Sequence, residues 1–216
     1  MSIPKILASV PIYHAVEPEP FMFFLVCSQE TGRAEMRGEY SLRWMATGPK
    51  VKIPLVRNIS CEQAIKNNAD FLAFVDDDMI LQPKEIFSIL AAHDKDIISP
   101  LFFRSSGVIA PLVFEMNGGE PEPIKSWEKG ALIEATGGVG TGVMLIKRQV
   151  LEEMGSPWFY YPENSTRSMD VHFCLRAIQL GFKVWCDTSI VCRQMGQARS
   201  IGIEEYEKYR ELTQAQ

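Results

Sequence analysis

The chain has 216 residues, of which 46% are apolar, and a formal net charge of −5 at pH 7. That is enough apolar material for one domain, 1–216, with a substantial core. The negative balance supplies no polyanion-binding field, which argues against a protein that coats nucleic acid without sequence preference. The five cysteines, Cys27, Cys61, Cys174, Cys186 and Cys192, are widely spaced in apolar sequence without a Cys-x-x-Cys pair. They read as reduced core residues of a cytoplasmic protein. Residues 1–5 lack the features of a secretory signal, and no apolar run approaches the roughly 20 residues that span a bilayer.

In chain order, residues 6–12 are expected to form a first strand, followed by a loop over 13–20. If that strand is parallel and central, the loop is placed to hold a nucleotide base, with Pro11 and Tyr13 as the contacts. His14 in the same loop is read by default as an exposed histidine. The run 21–29 suits either a buried helix turn or a strand, and helix is preferred because a crossover should follow the first strand. Residues 40–47 alternate weakly and suggest a second strand, closed by Gly48-Pro49. Ser60 with Gln63 makes a capping-box pattern that would open a helix over 61–68, just after Arg57-Asn58.

Phe71-Leu72-Ala73-Phe74-Val75 is too short for a helix and reads as a strand buried on both faces. Asp76-Asp77-Asp78 follows at once. Ligands of open α/β sheets bind beyond the carboxyl ends of the strands, so these acids would enter a site. In extended chain Asp76 and Asp78 lean to one side and Asp77 to the other. Two such carboxylates repel each other and are relieved by a hard cation, Mg²⁺ or Mn²⁺, shared with a phosphate-bearing ligand. The same acids also suit a solvated turn after a core strand.

Pro83 is expected to open a helix with an apolar stripe at Ile86, Ile89 and Leu90, reaching about His93. Strands are predicted over 96–100 and 112–116, an exposed loop over 117–129, and a further strand over 131–136. Gly137-Gly138-Val139-Gly140-Thr141-Gly142 then requires either close approach of a ligand or chain segment, or a tight turn or bulge. A strand at 143–146 and a short helix over 148–154, stopped by Gly155, follow it. Trp158-Phe159-Tyr160-Tyr161-Pro162-Glu163-Asn164 suits a sugar or base platform or a packed loop. Ser168 should cap a helix over 169–180, with Val171, Cys174, Leu175 and Ile178 inward and Asp170 in its first turn. Strands over 182–187 and 189–192, a basic surface strip from Arg193 to Arg199 and an amphipathic helix over 204–212 complete the chain.

Taken together, these pieces resemble the GT-A-fold glycosyltransferases, especially small family-2-like members of phage and bacterial type. The resemblance runs from about residue 5 to 196. It rests on the opening strand, Arg57-Asn58 before a helix, Phe74-Val75-Asp76-Asp77-Asp78 as an Asp-x-Asp motif, the glycine-led strand at 140–146, and Asp170-Val171-His172-Phe173-Cys174-Leu175-Arg176-Ala177 followed by Gly181. It implies an α/β fold, a Rossmann-like GT-A domain whose mostly parallel central sheet is flanked by helices. A nucleotide-sugar half would occupy about 1–100, an acceptor half about 101–200, and a terminal helix about 203–213.

The function implied is transfer of a sugar from a UDP- or GDP-sugar to an acceptor hydroxyl, with inversion and with Mn²⁺ or Mg²⁺ as cofactor. Pro11, Tyr13, Arg57, Asn58, Asp76 and Asp77 would face the donor. Asp78, with Asp76 and Gln194, would hold the metal. Asp170 would take the acceptor proton, with Glu163 in reserve, and Gly140, Thr141, Gly142 and Trp158 would lie on the acceptor side. The acceptor is a glycan, a protein or a modified DNA base, and the location is the cytoplasm, the host's if the protein is phage-encoded. Two positions depart from the family pattern. Met169 precedes Asp170 where an acid is common, and Gln194 stands where relatives supply a metal-binding histidine. A glutamine carbonyl holds Mn²⁺ more weakly than histidine does, and His172 is a possible substitute. The alternatives are a nucleotidyltransferase, disfavoured by the absence of a glycine-rich basic loop after the first strand, and a non-catalytic nucleotide-sugar-binding protein of the same fold.

Overall fold

The computed structural model describes residues 3–12, 16–47, 51–105, 107–163, 166–196 and 200–214. In chain order the elements are β1 (Lys5–Pro11), α1 (Pro18–Met36), β2 (Ser41–Thr47), α2 (Ile53–Lys66), β3 (Phe71–Val75), β4 (Met79–Ile80), α3 (Ile86–Ala92), β5 (Ile97–Leu101), β6 (Val113–Asn117), β7 (Glu120–Pro123), β8 (Leu132–Glu134), β9 (Gly138–Val139), β10 (Val143–Lys147), α4 (Arg148–Met154), α5 (Met169–Gln179), β11 (Val184–Val191), β12 (Arg193–Met195), β13 (Ser200–Ile201) and α6 (Ile203–Gln214).

Seven strands form the central sheet in the order β2-β1-β3-β10-β5-β11-β8. Five point one way, and β10 and β8 run against them. This is the mixed, mostly parallel α/β sheet expected from the sequence. Helices cover both faces. Phe24, Cys27 and Ala34 of α1 and Ile86, Phe87 and Leu90 of α3 pack with Ile6, Ala8, Phe71, Ala73 and Val75. On the other face Cys61 and Ala64 of α2, Val150 and Leu151 of α4 and Phe173, Cys174 and Ala177 of α5 pack with Leu7, Leu72 and Phe74. All five residues of β3 are buried, so its continuous apolar run reflects cover on both sides.

Several boundaries differ from those read in the sequence. The helix α1 is far longer than 21–29 and starts at Pro18, where a proline suits a first turn. Ser60 does not cap a helix: α2 begins at Ile53, and Ser60 lies inside it. There the hydroxyl donates to the Val56 carbonyl at 2.9 Å and pairs with the Ser9 hydroxyl at 2.7 Å, a local bond that mimics a cap signal in sequence. Pro83 lies ahead of α3 rather than within it, its carbonyl accepting from the Ile86 N–H at 3.0 Å. Residues 117–129 include strand β7, paired with β6 through a Gly118-Gly119 turn whose positive φ values (59° and 93°) match the twist of a hairpin. The two strands expected at 182–192 are one, β11, with an irregularity after Asp187. On α5, Phe173 and Ala177 are buried while Leu175 and Ile178 are only half-buried. All five cysteines are free and buried. Among the described residues no helix is long and apolar enough to cross a membrane.

The glycine-rich stretch is explained by internal packing. A Cβ on Gly142 would lie 2.7 Å from the Phe102 ring, and one on Gly138, at φ +98°, would lie 2.6 Å from the Cys174 Cβ. Only glycine lets α5 sit this close to β9. Gly138→Ala is therefore expected to cost about 3 kcal/mol through backbone strain and a forced shift of α5. Urea unfolding measures this, and an unchanged midpoint would contradict the packing.

Candidate functional site at the carboxyl end of the central strand

β3 ends at Val75, and the chain turns sharply. The Asp76 N–H donates to the Gly142 carbonyl at 2.8 Å, and the Met79 N–H donates to the Asp76 carbonyl at 3.1 Å. The three aspartates thus lie on a tight turn rather than on the extended chain expected. The turn is held from its far side by a small sheet in which β4 pairs with β12, Met79 standing opposite Gln194. The Met195 N–H donates to the Asp78 carbonyl at 2.9 Å, and the Gln194 side-chain amide donates to Asp78 Oδ2 at 3.0 Å. Two residues 116 positions apart are brought together.

Asp76 is held by Arg57, whose Nη2 donates to Asp76 Oδ1 at 2.8 Å. The guanidinium lies 4.9 Å from the Phe74 ring centre and 6.0 Å from that of Phe159, an aromatic seat for a weakly hydrated cation. Its side chain is only 3% exposed, yet Nε and Nη1 meet no hydrogen-bond partner among the described residues. Buried donors of this kind are costly unless an acceptor arrives.

Asp170 lies in the first turn of α5, behind a Ser168 cap whose hydroxyl accepts from the Val171 N–H. The Thr141 N–H donates to Asp170 Oδ2 at 3.4 Å, which ties α5 to the glycine-rich segment. The four acids form one electrostatic unit. Burial pushes the Asp76 carboxyl up, Arg57 pulls it down, and Asp170 and Asp77 push it up again. Asp78 is pushed up to about 6, first by burial and then by Asp76, against the Gln194 amide. Its Oδ1 is a buried acceptor without a partner among the described residues.

The other expected site residues fall elsewhere. Pro11 closes β1 and is buried, and Tyr13 and His14 lie outside the described residues. Asn58 does not face a ligand. Its Oδ1 accepts from the N–H groups of Trp158 and Phe159 at 2.8 and 3.0 Å, and its Nδ2 donates to the Phe159 carbonyl at 2.7 Å. Trp158 is no sugar platform: it is buried, and its indole N–H donates to the Leu151 carbonyl at 2.7 Å. Tyr160 and Tyr161 are the exposed aromatics of that segment. Glu163 is exposed in the turn beyond them. Gly140, Thr141 and Gly142 are buried, and the hydrogen bonds of this segment to the acids run through backbone, the Thr141 N–H to Asp170 and the Gly142 carbonyl to the Asp76 N–H. The His172 ring meets Tyr160 edge-on at 4.8 Å, and burial, then Arg176 and Arg167, holds its pKa down. The Arg57–Asp76 pair escaped the sequence reading, its one signal being an arginine on the inner side of a helix.

Among the described residues no three His, Cys, Asp or Glu side chains form a metal-binding cluster. A Mg²⁺ or Mn²⁺ ion nevertheless fits here: Asp78 Oδ1 is an orphaned hard acceptor, and the Gln194 amide can turn its oxygen to the same side. Phosphate oxygens and water would supply the remaining ligands.

The elevated Asp78 pKa has a definite sign. With the folded value near 6 and the unfolded one near 3.8, the folded state binds more protons between them, so stability falls as pH rises through that window. Asp78→Asn is expected to stabilise the cation-free protein by about 2 kcal/mol at pH 7, with the gain disappearing below about pH 4. Thermal unfolding across pH measures it, and a destabilised variant at pH 7 would contradict the crowding of these acids.

No protein-family model and no curated protein sequence matches the chain. Solved structures do. A197 from STIV is similar at TM-score 0.64 and 18% identity, over 93% of this chain and 91% of that one. A UDP-glucose pyrophosphorylase solved with UDP-glucose is similar at TM-score 0.51 and 10% identity, over 99% and 100% of the two chains. A Bacillus anthracis protein described as a glucose-1-phosphate thymidylyltransferase is similar at TM-score 0.50 and 10% identity, over 97% and 94%. At these identities the likeness is one of fold, and the chain has the Rossmann-like mixed α/β fold that the sequence implied.

Proposed function

We propose that the chain is a transferase acting on nucleotide-sugars, and specifically a glycosyltransferase that moves a sugar from a UDP- or GDP-sugar to an acceptor hydroxyl with inversion. The observation that carries this reading is the meeting of Asp76, Asp78, Gln194 and Asp170 at the carboxyl end of β3, beside a buried Arg57 with unused donors. Crevices at the carboxyl ends of parallel strands are where open α/β sheets bind nucleotides.

Asp78 and Gln194 would hold Mg²⁺ or Mn²⁺ against the donor diphosphate, where the cation offsets the charge that grows on the departing nucleoside diphosphate. Arg57 opposes the rise that burial imposes on the Asp76 pKa and aims its carboxylate, and its free N–H groups suit a phosphate or ribose oxygen. Asp170, fixed by the Thr141 N–H, accepts the proton of the acceptor hydroxyl as that oxygen attacks the anomeric carbon. A base on the face opposite the leaving group favours inversion. Tyr160, which meets His172 of α5 edge-on, and Tyr161 are exposed aromatics and would suit an acceptor glycan, protein or modified base.

The nucleotidyltransferase reading draws support from the two similar folds described as a glucose-1-phosphate thymidylyltransferase and a UDP-glucose pyrophosphorylase. It is disfavoured by residues 11–20, Pro-Ile-Tyr-His-Ala-Val-Glu-Pro-Glu-Pro, which offer no glycine, lysine or arginine to grip a triphosphate. The products separate the two. A glycosyltransferase releases nucleoside diphosphate from a nucleotide-sugar, whereas a nucleotidyltransferase releases pyrophosphate from a nucleoside triphosphate and a sugar phosphate. Asp170→Asn is expected to slow nucleoside diphosphate release about 10²- to 10⁴-fold while leaving donor binding intact. Pyrophosphate release from wild type, or full turnover by Asp170→Asn, would contradict the assignment.

A further inference from the structure

Helix α1 is apolar on two opposite faces. Toward the sheet it buries Pro20, Phe24, Cys27, Thr31 and Ala34, with Glu30 buried at the edge of that face in ion pairs with Arg37 and Lys84. On the far side Phe21, Met22, Leu25, Val26 and Met36 are each at least 38% exposed. With 3.6 residues per turn, Pro18, Leu25, Gln29 and Met36 mark the middle of this outer face, opposite the buried one. Residues 20–29 contain no charge at all. Gly32 falls in the same stripe, and a Cβ there would meet nothing within 4 Å. A surface helix ordinarily turns charged residues outward, and one that is apolar all round belongs between two surfaces.

We propose that the outer face of α1 is a self-association surface on which a second copy of this chain packs its own α1 antiparallel, across a two-fold axis. The charges select this occupant. Glu19 begins one flank of the stripe, and on that same flank about four turns later stands Arg33. Its side chain is 58% exposed and, among the described residues, held within its own chain only by a 3.6 Å pairing with Glu30, whereas Arg37 one turn on is already bound by Glu30 and Glu39. In an antiparallel isologous pair like flanks face each other end for end, so the acidic end of each helix meets the basic end of the other. Gly32 leaves a recess near the basic end for a bulky side chain of the opposing helix. A bilayer surface fits less well: interfacial helices are rich in lysine and arginine beside their apolar face, whereas Glu17, Glu19 and Glu35 border this one together with Arg33 and Arg37, and the chain is net negative.

The test is light scattering after size exclusion on the full chain at tens of micromolar. Wild type is expected at twice 24.4 kDa. Leu25→Glu, and independently Met22→Glu, change exposed positions, should keep the circular dichroism of wild type, and should raise the dimer dissociation constant at least about tenfold. Glu19→Arg should weaken the dimer, and adding Arg33→Glu should restore it. A monomeric wild type, or a dimer indifferent to Leu25→Glu and Met22→Glu, overturns the proposal. A double variant no tighter than Glu19→Arg alone overturns the antiparallel arrangement.

Discussion

Four half-buried carboxylates cannot crowd the end of one strand unless something opposes their repulsion, and in this protein the opposing group is Arg57. Its guanidinium bonds Asp76 at 2.8 Å while resting on Phe74 and Phe159. Much follows from that placement. Phe159 lies against Phe74 on one side, at 5.3 Å, and stacks on Phe173 of α5 at 4.4 Å on the other. The next residue along α2, Asn58, ties down the backbone of Trp158 and Phe159. One turn of helix therefore sets the acidic turn, the aromatic segment and the seat of α5 relative to one another. Truncating a buried cation of this kind strands its partner charge and costs more than the pair contributes.

The site is electrostatically uncomfortable by construction. Asp78 is driven toward its neutral form by burial and by Asp76, and one of its oxygens is orphaned. Perturbed acids of this sort cluster where function needs them. The rigid parts around them carry no such tension: β3 is wholly buried, and α5 is seated on a glycine that nothing larger can replace. The fold supplies stability, and the carboxyl end of its central strand spends some of it.

Much of this was legible in the sequence. The apolar run at 71–75 could only be a doubly covered strand, and the carboxylates that follow it could only emerge at its end. The contact between Gln194 and Asp78 came from the order of motifs rather than from local pattern. What failed had local causes. Ser60 and Gln63 matched a capping box because a serine bonding back to the carbonyl four residues earlier has the same spacing signature as a cap. Trp158 looked like a binding platform because a tryptophan in a polar segment gives no sign of whether its N–H is already taken. The glycines at 137–142 left open a ligand, a close chain segment or a tight turn, and Phe102 and Cys174 are the chain segments they make room for. The glycine contacts with Phe102 and Cys174 join segments more than 30 residues apart, beyond the reach of any local window, whereas the Ser60 and Trp158 bonds are local and carry no distinctive sequence pattern.

The central claim is a nucleoside diphosphate site organised by Asp78 and a divalent cation, and the most direct measurement is calorimetric titration of UDP and GDP into the protein with and without Mn²⁺. The account requires that one of the two nucleotides bind only when Mn²⁺ is present, and that Asp78→Ala abolish that binding without unfolding the chain. If neither nucleotide binds with Mn²⁺ present, or if binding survives in Asp78→Ala, the acids beyond β3 are not a donor site and the account fails.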